Sequence, residues 1–259
     1  MKIGAIGTGF VGQCVVNTFS KVHEVKVHDI KLNTRIEDVL DTEVVFINVP
    51  TPSVEGKQDY SIVEGVILQL QELRYQGVVV IKSTVLPGSC RRWEDTHGLP
   101  IVHNPEFLTE RNAQKDFDNQ EAILLSGSIE ALRPVVESYR QVFPDTPLHC
   151  YNQFEVTEVA KYIHNDFLAT KVAFMNEMYD LCQYVGCDYN QAIGAALSQK
   201  KILPNHTHVP GPDGQFGFGG SCFPKDTAAL HSAFSDKVNM RTLGGAIDSN
   251  KISRGKPVV

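Results

Sequence analysis

Cys222 lies in the run Gly217-Phe218-Gly219-Gly220-Ser221-Cys222-Phe223-Pro224-Lys225-Asp226. Three glycines let backbone close on a ligand without side-chain obstruction. Pro224 suits a first helical turn, so a helix is expected to start here. A helix N-terminus and the ammonium of Lys225 both favour a thiolate, which makes Cys222 a candidate nucleophile. Asp226, four residues on, returns to the same side as a candidate base. Cys14, Cys150, Cys182 and Cys187 lack this context and read as structural thiols. A second pair is Lys161 and Asn165. Four apart in a helical pattern, they share a face. An ammonium and an amide converging on one point stabilise a developing oxyanion. The plainer alternative is a solvent-facing lysine and an ordinary helical asparagine.

The third group is Gly7-Thr8-Gly9-Phe10-Val11-Gly12. This GxGxxG follows an apolar strand and opens a helix, the context a dinucleotide turn requires. The first glycine permits the tight turn, the second admits a pyrophosphate, and the third packs helix on strand. Free N–H groups and the positive dipole end then face the phosphates. Asp29 closes the next strand, where a carboxylate accepts from ribose hydroxyls. It repels a 2′-phosphate, so NAD is expected over NADP.

These residues need a scaffold. Strands are expected at residues 2–7, 24–29, 44–49 (VVFINV), 78–81 (VVVI), 100–102 and 122–125, the third apolar throughout as a strand covered on both faces should be. Helices are expected over about 11–20, 61–74 and 130–142, with Asp59 or Ser61 capping the second. Strands alternating with helices give an α/β class, a Rossmann-like doubly wound parallel sheet over residues 1–150. From 151 to 259 a mainly helical domain is expected, with one long central helix over 155–185. Residues 203–221 read as a loop, 224–234 as a short helix, and 241–251 as compatible with helix. On the long helix, Val156, Ala160, Ile163, Phe167, Phe174, Met178, Leu181 and Val185 form one apolar stripe, expected to pack on the nucleotide-binding domain. Val159, Leu168, Val172, Met175 and Tyr179 form an offset one. A helix apolar on two sides is buried on two sides, which points to a homodimer.

The chain has 259 residues, 42% hydrophobic and 21% charged, with a formal charge of −6. That balance argues against a nucleic-acid surface. No apolar run reaches the ~20 residues of a membrane span. The N-terminus fits no secretory signal, so the six scattered cysteines are expected as reduced thiols in the cytoplasm. No spacing suggests a metal site.

The cysteine run resembles the active-site signature of UDP-glucose 6-dehydrogenases. Other stretches resemble the same family in order: the GxGxxG, Val49-Pro50-Thr51-Pro52, Lys82-Ser83-Thr84-Val85, Asn104-Pro105-Glu106-Phe107-Leu108 and Lys161-x-x-x-Asn165. The resemblance runs from residue 1 to about 235. It implies an NAD-dependent, two-step oxidation of the C6 alcohol of UDP-glucose to UDP-glucuronate. Cys222 would capture the aldehyde, because an aldehyde lacks the tetrahedral C–H that a second hydride transfer needs. Lys161 and Asn165 would steady the oxyanion. Asp226 would activate water, and Glu106 would organise water or act as a base with Thr84. The cofactor would be held by Gly7, Gly9, Phe10, Val11, Gly12, Asp29, Val49, Pro50, Thr51, Ser83, Thr84 and Glu110. Glu106, Phe107, Leu108, Lys161, Asn165, Phe218, Gly219 and Phe223 would hold the nucleotide sugar. The equivalent long helix forms a two-fold dimer in that family. Relatives carry a further C-terminal nucleotide-binding domain, absent from this stretch, and a longer insertion between Asp29 and Val44. The loop at 206–214 lacks the arginine many relatives use to reach a neighbouring subunit. GDP-mannose dehydrogenases share the cysteine chemistry. Hydroxyacid dehydrogenases of the 3-hydroxyisobutyrate type share the first domain but have no use for Cys222. A third alternative is an inactive paralogue that only binds NAD or a partner.

Overall fold

The computed structural model describes residues 1–54 and 56–256, so the last three residues of the second expected domain lie outside the described residues. Chain contacts divide it into two compact units. The first comprises Met1–Pro52 and Gln58–Lys161; the second takes the Ser53–Lys57 segment and the chain from Tyr162 onward.

In order come β1 (Lys2–Ile6), α1 (Phe10–Phe19), β2 (Glu24–His28), β3 (Val44–Ile47), the short strand β4 (Ser53–Val54) and its partner β5 (Lys57–Gln58), α2 (Ser61–Glu72) and β6 (Val78–Ile81), of which β4 and Lys57 of β5 belong to the second unit and the rest to the first. Then come α3 (Ser89–His97), β7 (Ile101–His103), α4 (Ala113–Asp118), β8 (Ile123–Gly127), α5 (Ile129–Val142) and β9 (Leu148–Tyr151). The main sheet has the order β2-β1-β3-β6-β7-β8-β9. Every pairing is parallel except β7 with β8. β3 and β6 are buried at every residue, and alternate side chains supply two cores. Val45, Ile47, Val79, Ile81 and Ile101 pack with α2 and Trp93 of α3. Val44, Phe46, Val78, Val80 and Val102 pack with Val15 and Phe19 of α1 and Val135 and Tyr139 of α5. Covering both faces is why these strands are apolar without alternation.

The chain runs from β1 outward to β2, then crosses back to β3 on β1's other side. That reversal opens a crevice at the carboxyl ends of β1 and β3, where open α/β sheets bind ligands. The expected cap of α2 differs in detail. Tyr60 occupies the cap position, and Asp59 accepts from the Ser61 N–H at 2.8 Å. The strand expected at 122–125 is β8, but its antiparallel direction was not legible, and neither were α3, α4 and β9. α3 (SCRRWEDTH) is mostly polar, and β9 (LHCY) is a largely exposed edge strand with no apolar run.

The helix α6 (Phe154–Val185) begins in the first unit and continues as the spine of the second. There α7 (Tyr189–Leu197), a long loop, α8 (Phe223–Phe234) and α9 (Arg241–Arg254) follow it. The first part of the loop is pinned. Lys171 donates to the carbonyls of Leu203 and Asn205, both at 2.6 Å, and Tyr189 to that of Thr207 at 2.7 Å. The first apolar stripe of α6 is not covered as expected: Val156, Ile163, Phe167, Phe174, Leu181 and Val185 are exposed. Of the offset stripe Met175 is buried and Val159 exposed, and the buried face carries Ala169 and Ala173, which neither stripe included. The reason is size: Ala169 and Ala173 leave room for Phe218 and Ala246 to close on the helix, forming the unit's own core.

Candidate active site

Gly7 turns the chain at φ +82°. A Cβ on Gly12 would lie 1.8 Å from the Gly7 carbonyl oxygen, so α1 can approach β1 only with glycine there. A Cβ on Gly9 would meet nothing within 4 Å; it would fill the open space in front of the helix start. No side chain caps α1 at Gly9, which suits N–H groups reserved for phosphate. Phe10 is exposed beside this turn and Val11 half-buried. One oxygen of Asp29 accepts from both the Thr8 N–H (2.7 Å) and the Thr8 hydroxyl (2.6 Å). Its other oxygen accepts from the Lys31 N–H at 2.8 Å. The Thr8 hydroxyl, then these N–H groups, hold the Asp29 carboxyl below its usual pKa. It stays an anion through the neutral range, and the turn is stapled to the end of β2. These residues fit the pyrophosphate and adenosine ribose of a dinucleotide.

The ends of β3 and β6 are stitched together beside this turn. The Ser83 hydroxyl donates to the Val49 carbonyl at 2.6 Å, and the Thr51 hydroxyl to the Thr84 carbonyl at 2.9 Å. Gln58 also donates to the Thr84 carbonyl, at 2.6 Å. Pro50 is exposed between them, and Glu110 is exposed at the start of a 3-10 turn.

After β7 the chain meets a buried charged network. The Lys82 ammonium lies 3.0 Å from a Glu106 carboxylate oxygen and donates to Asn104 at 2.9 Å. The Tyr139 hydroxyl donates to the same Asn104 oxygen at 2.5 Å. Burial opposes the Lys82 charge, but attraction to Glu106 and then Tyr139 more than offsets it and holds the pKa above the usual value. The other Glu106 oxygen accepts from the Phe107 N–H at 2.8 Å. With both oxygens engaged, the Glu106 carboxylate fixes its own backbone, and the Glu106 carbonyl takes the Lys161 ammonium. That ammonium also lies 5.1 Å from the centre of the Phe107 ring, and Leu108 packs against the core. Neighbouring His103 is fully buried. Burial, with Lys82 and Lys161 adding to it, pushes its pKa down to about 3, so the ring is neutral. Lys82 and Asn104 open two of the motifs quoted from the sequence but were given no role there, and Tyr139 was not singled out at all. The available signal is a lysine directly after the buried run VVVI, since a charge there needs a partner.

In the second unit Cys222 is the N-cap of α8 and is exposed, with Pro224 in the first turn. Asp226, in that same turn, is buried. One of its oxygens accepts from the Asn165 amide at 2.6 Å and the other from Lys225 at 2.6 Å. Asn165 stands one helical turn after Lys161 on α6. Phe218 is buried and its ring centre lies 6.5 Å from that of Phe223, edge to face. Gly219 follows it, and a Cβ there would meet the Arg254 guanidinium. An exposed thiol at a helix start, one turn from a buried carboxylate that orients an amide, is an arrangement for covalent capture of an electrophilic carbon. Among the described residues, no group of three or more His, Cys, Asp or Glu side chains could hold a metal ion. No helix of the described residues is long and apolar enough to cross a membrane.

A doubly wound sheet with a glycine turn, an acidic β2 end and a separate cysteine-bearing helical unit defines a dinucleotide-dependent oxidoreductase class. Residues 21–143 match the model of the UDP-glucose/GDP-mannose dehydrogenase family, NAD binding domain, and residues 155–252 match that family's central domain. The chain belongs to the UDP-glucose/GDP-mannose dehydrogenase family. Because the NAD-binding match begins at residue 21, the glycine turn at 7–12 rests on its own geometry. A UDP-glucose 6-dehydrogenase of Rickettsia typhi is 34% identical over 238 residues, covering 87% of this chain and 53% of that protein. A UDP-glucose dehydrogenase structure from Pyrobaculum islandicum superposes with a TM-score of 0.86 at 26% identity, covering 97% of this chain and 68% of that one. A GDP-mannose dehydrogenase structure from Pseudomonas aeruginosa gives 0.68 at 29% identity, covering 98% and 69%. The chain spans about half the length of the curated relatives it matches first.

Proposed function

We propose that this chain oxidises the C6 alcohol of UDP-glucose to the carboxylate of UDP-glucuronate, with Cys222 as the covalent nucleophile. The observation that carries it is the exposed Cys222 thiol at the start of α8, one turn from an Asp226 that holds the Asn165 amide. Bound NAD would accept the hydride in each of the two oxidations. The Cys222 thiolate adds to the aldehyde carbon, and the carbonyl oxygen becomes an alkoxide. The Lys161 ammonium and the free N–H of the Asn165 amide steady that oxygen. The alcohol gives up its own proton in the first oxidation; in the second, loss of a hydride from the alkoxide-bearing carbon re-forms the C=O bond and leaves a thioester on Cys222. Water then adds to the thioester, the C–S bond breaks, and the thiolate is regenerated. One alcohol and one water thus yield a carboxylate, two hydrides and three protons. Asp226 orients Asn165 and takes a proton from the attacking water. Lys82 and Glu106 act earlier in the chain of support, by fixing the carbonyl that holds Lys161.

The exposed stripe of α6 supports a two-fold dimer formed on that helix, and the six free thiols suit a reducing cytoplasm. The decisive experiment supplies purified protein with NAD and UDP-glucose, GDP-mannose or other nucleotide sugars in turn, and counts NADH per sugar consumed. Two per UDP-glucose, with Cys222→Ser yielding no net acid, is the expected result. Two per GDP-mannose instead would reassign the substrate. No NADH with any sugar would leave a chain that binds NAD without oxidising sugars.

A further inference from the structure

The residues that make the cysteine run reactive do not explain why it holds its shape. Gly217 and Gly220 both sit at positive φ, +73° and +77°, so the chain reverses on either side of Phe218. Glycines give such a loop backbone freedom that other residues lack. Phe218 is nevertheless fixed at three points. Its ring is buried among Ala169, Ala173 and Ala246. Its N–H donates to the Asn250 side-chain oxygen at 2.6 Å, and the Asn250 amide donates back to its carbonyl at 3.1 Å. This is a peptide-like pairing supplied by a side chain. The Arg254 Nε donates to the same carbonyl at 3.0 Å, while its Nη2 donates to Asp213 at 2.8 Å. Asn250 and Arg254 are four apart on α9 and so present one face. Asn176 of α6 completes the grip by accepting the Gly217 N–H at 2.9 Å.

Gly219 belongs to the same device. A Cβ there would lie 1.7 Å from Arg254 Nη2. Glycine at 219 is therefore set by the guanidinium as well as by any ligand. From Phe218 to Cys222 only three residues intervene, and Cys222 must start α8 with its thiol outward.

We infer that Asn250 and Arg254 of α9 are positioning residues that hold the Cys222 loop through the Phe218 peptide. The inference rests on the proposed role of Cys222 for its kinetic consequence, but the loop contact itself does not. Neither residue touches the reacting atoms; each acts through the Phe218 peptide. A misplacement of about 1 Å remote from the chemistry costs on the order of a hundredfold in rate.

The test uses Asn250→Ala, Arg254→Ala and Gly219→Ala, with Lys251→Ala on the solvent side of α9 as control. Gly219→Ala displaces the guanidinium without deleting it, which covers the case in which an α9 variant folds poorly. Hydrogen exchange of the substrate-free protein reads the amides of residues 217–222. Steady-state kinetics with UDP-glucose read kcat and the KM for NAD. Exchange in that segment is expected to quicken at least tenfold in the three variants and to stay unchanged in the control. The kcat is expected to fall at least tenfold with the KM for NAD within twofold, because the turn at 7–12 is built from other residues. Unchanged exchange at 217–222 overturns the clamp, and so does faster exchange with wild-type kcat. If the wild-type chain oxidises no sugar, the proposed function fails, and the exchange result alone upholds or overturns the clamp.

Discussion

Asp29 shows how much one carboxylate does at the cofactor turn. It holds Thr8 by two hydrogen bonds and follows β2, the position from which a carboxylate would reach the ribose of a dinucleotide in the proposed cofactor site. Its lowered pKa means that its hydrogen bonds favour folding above the ordinary carboxylate range. That contribution is lost as pH falls through the lowered value. Asp29→Ala should therefore raise the KM for NAD and cut the NAD-over-NADP preference at least about tenfold, equivalent to ~1.4 kcal/mol of discrimination. Steady-state assays with both cofactors check this. An unchanged preference would remove Asp29 from the ribose site. The motif made Asp29 visible, because acidic residues at that spacing after a glycine turn have a mechanism. The Thr8 staple was not visible, because nothing in Thr8 itself marks it.

At the scale of elements, α6 does more than carry Lys161 and Asn165. Its Glu158 is fully buried and accepts from the N–H groups of Gly88 and Cys90 at 2.6 and 2.9 Å. Those groups open α3, which has no side-chain cap of its own. Burial raises the Glu158 pKa against the pull of these donors. Its charge is thus a cost that grows as pH rises through the raised value and vanishes below the ordinary carboxylate range. Glu158→Ala should still destabilise at neutral pH, because two buried donors lose a charged acceptor at about 2–3 kcal/mol. The expected fall in Tm is on the order of 5–10 °C, read by calorimetry at pH 7. A Tm within 1 °C of the parent, roughly a few tenths of a kcal/mol, would show that α3 is capped some other way. The existence of α6 was plain from its periodicity. Its cap on α3 was not, because Glu158 reads as one more surface charge on an amphipathic helix.

At the scale of the whole molecule the exposed stripe of α6 is the outstanding feature. Ile163 and Phe167 are about two-thirds exposed, at 65% and 67%, and Phe174 and Leu181 are half exposed. A contiguous apolar face on a monomer is uncommon and marks an interaction surface. A two-fold dimer presents the same stripe to itself and needs no second surface. Light scattering at micromolar concentration should give twice the 28.7 kDa chain mass, and Phe167→Asp should restore the single chain mass without loss of helix signal. A parent protein that scatters as one chain would exclude the dimer. Two apolar sides on α6 were legible in the sequence. Which side is left open was not, because the choice depends on the small residues Ala169 and Ala173 receiving Phe218 and Ala246.

The sequence alone determined the parallel sheet, the glycine turn, the long helix and the chemical types at Cys222, Lys161, Asn165 and Asp226. Each is a local signal: an unbroken apolar run, a turn that only glycine allows, a 3.6-residue period, a nucleophile at a helix start. The tertiary structure decided who partners whom. Lys82 pairs with Glu106 across 24 positions of sequence, so a carboxylate readable as a base also fixes the backbone whose carbonyl takes the Lys161 ammonium. Asn250 and Arg254 grip Phe218 from 32 and 36 residues away, so the end of α9 shapes a loop that precedes it. Such pairings leave no periodic trace, because a hydrogen bond between distant residues depends on where the chain returns in space and not on any spacing along it.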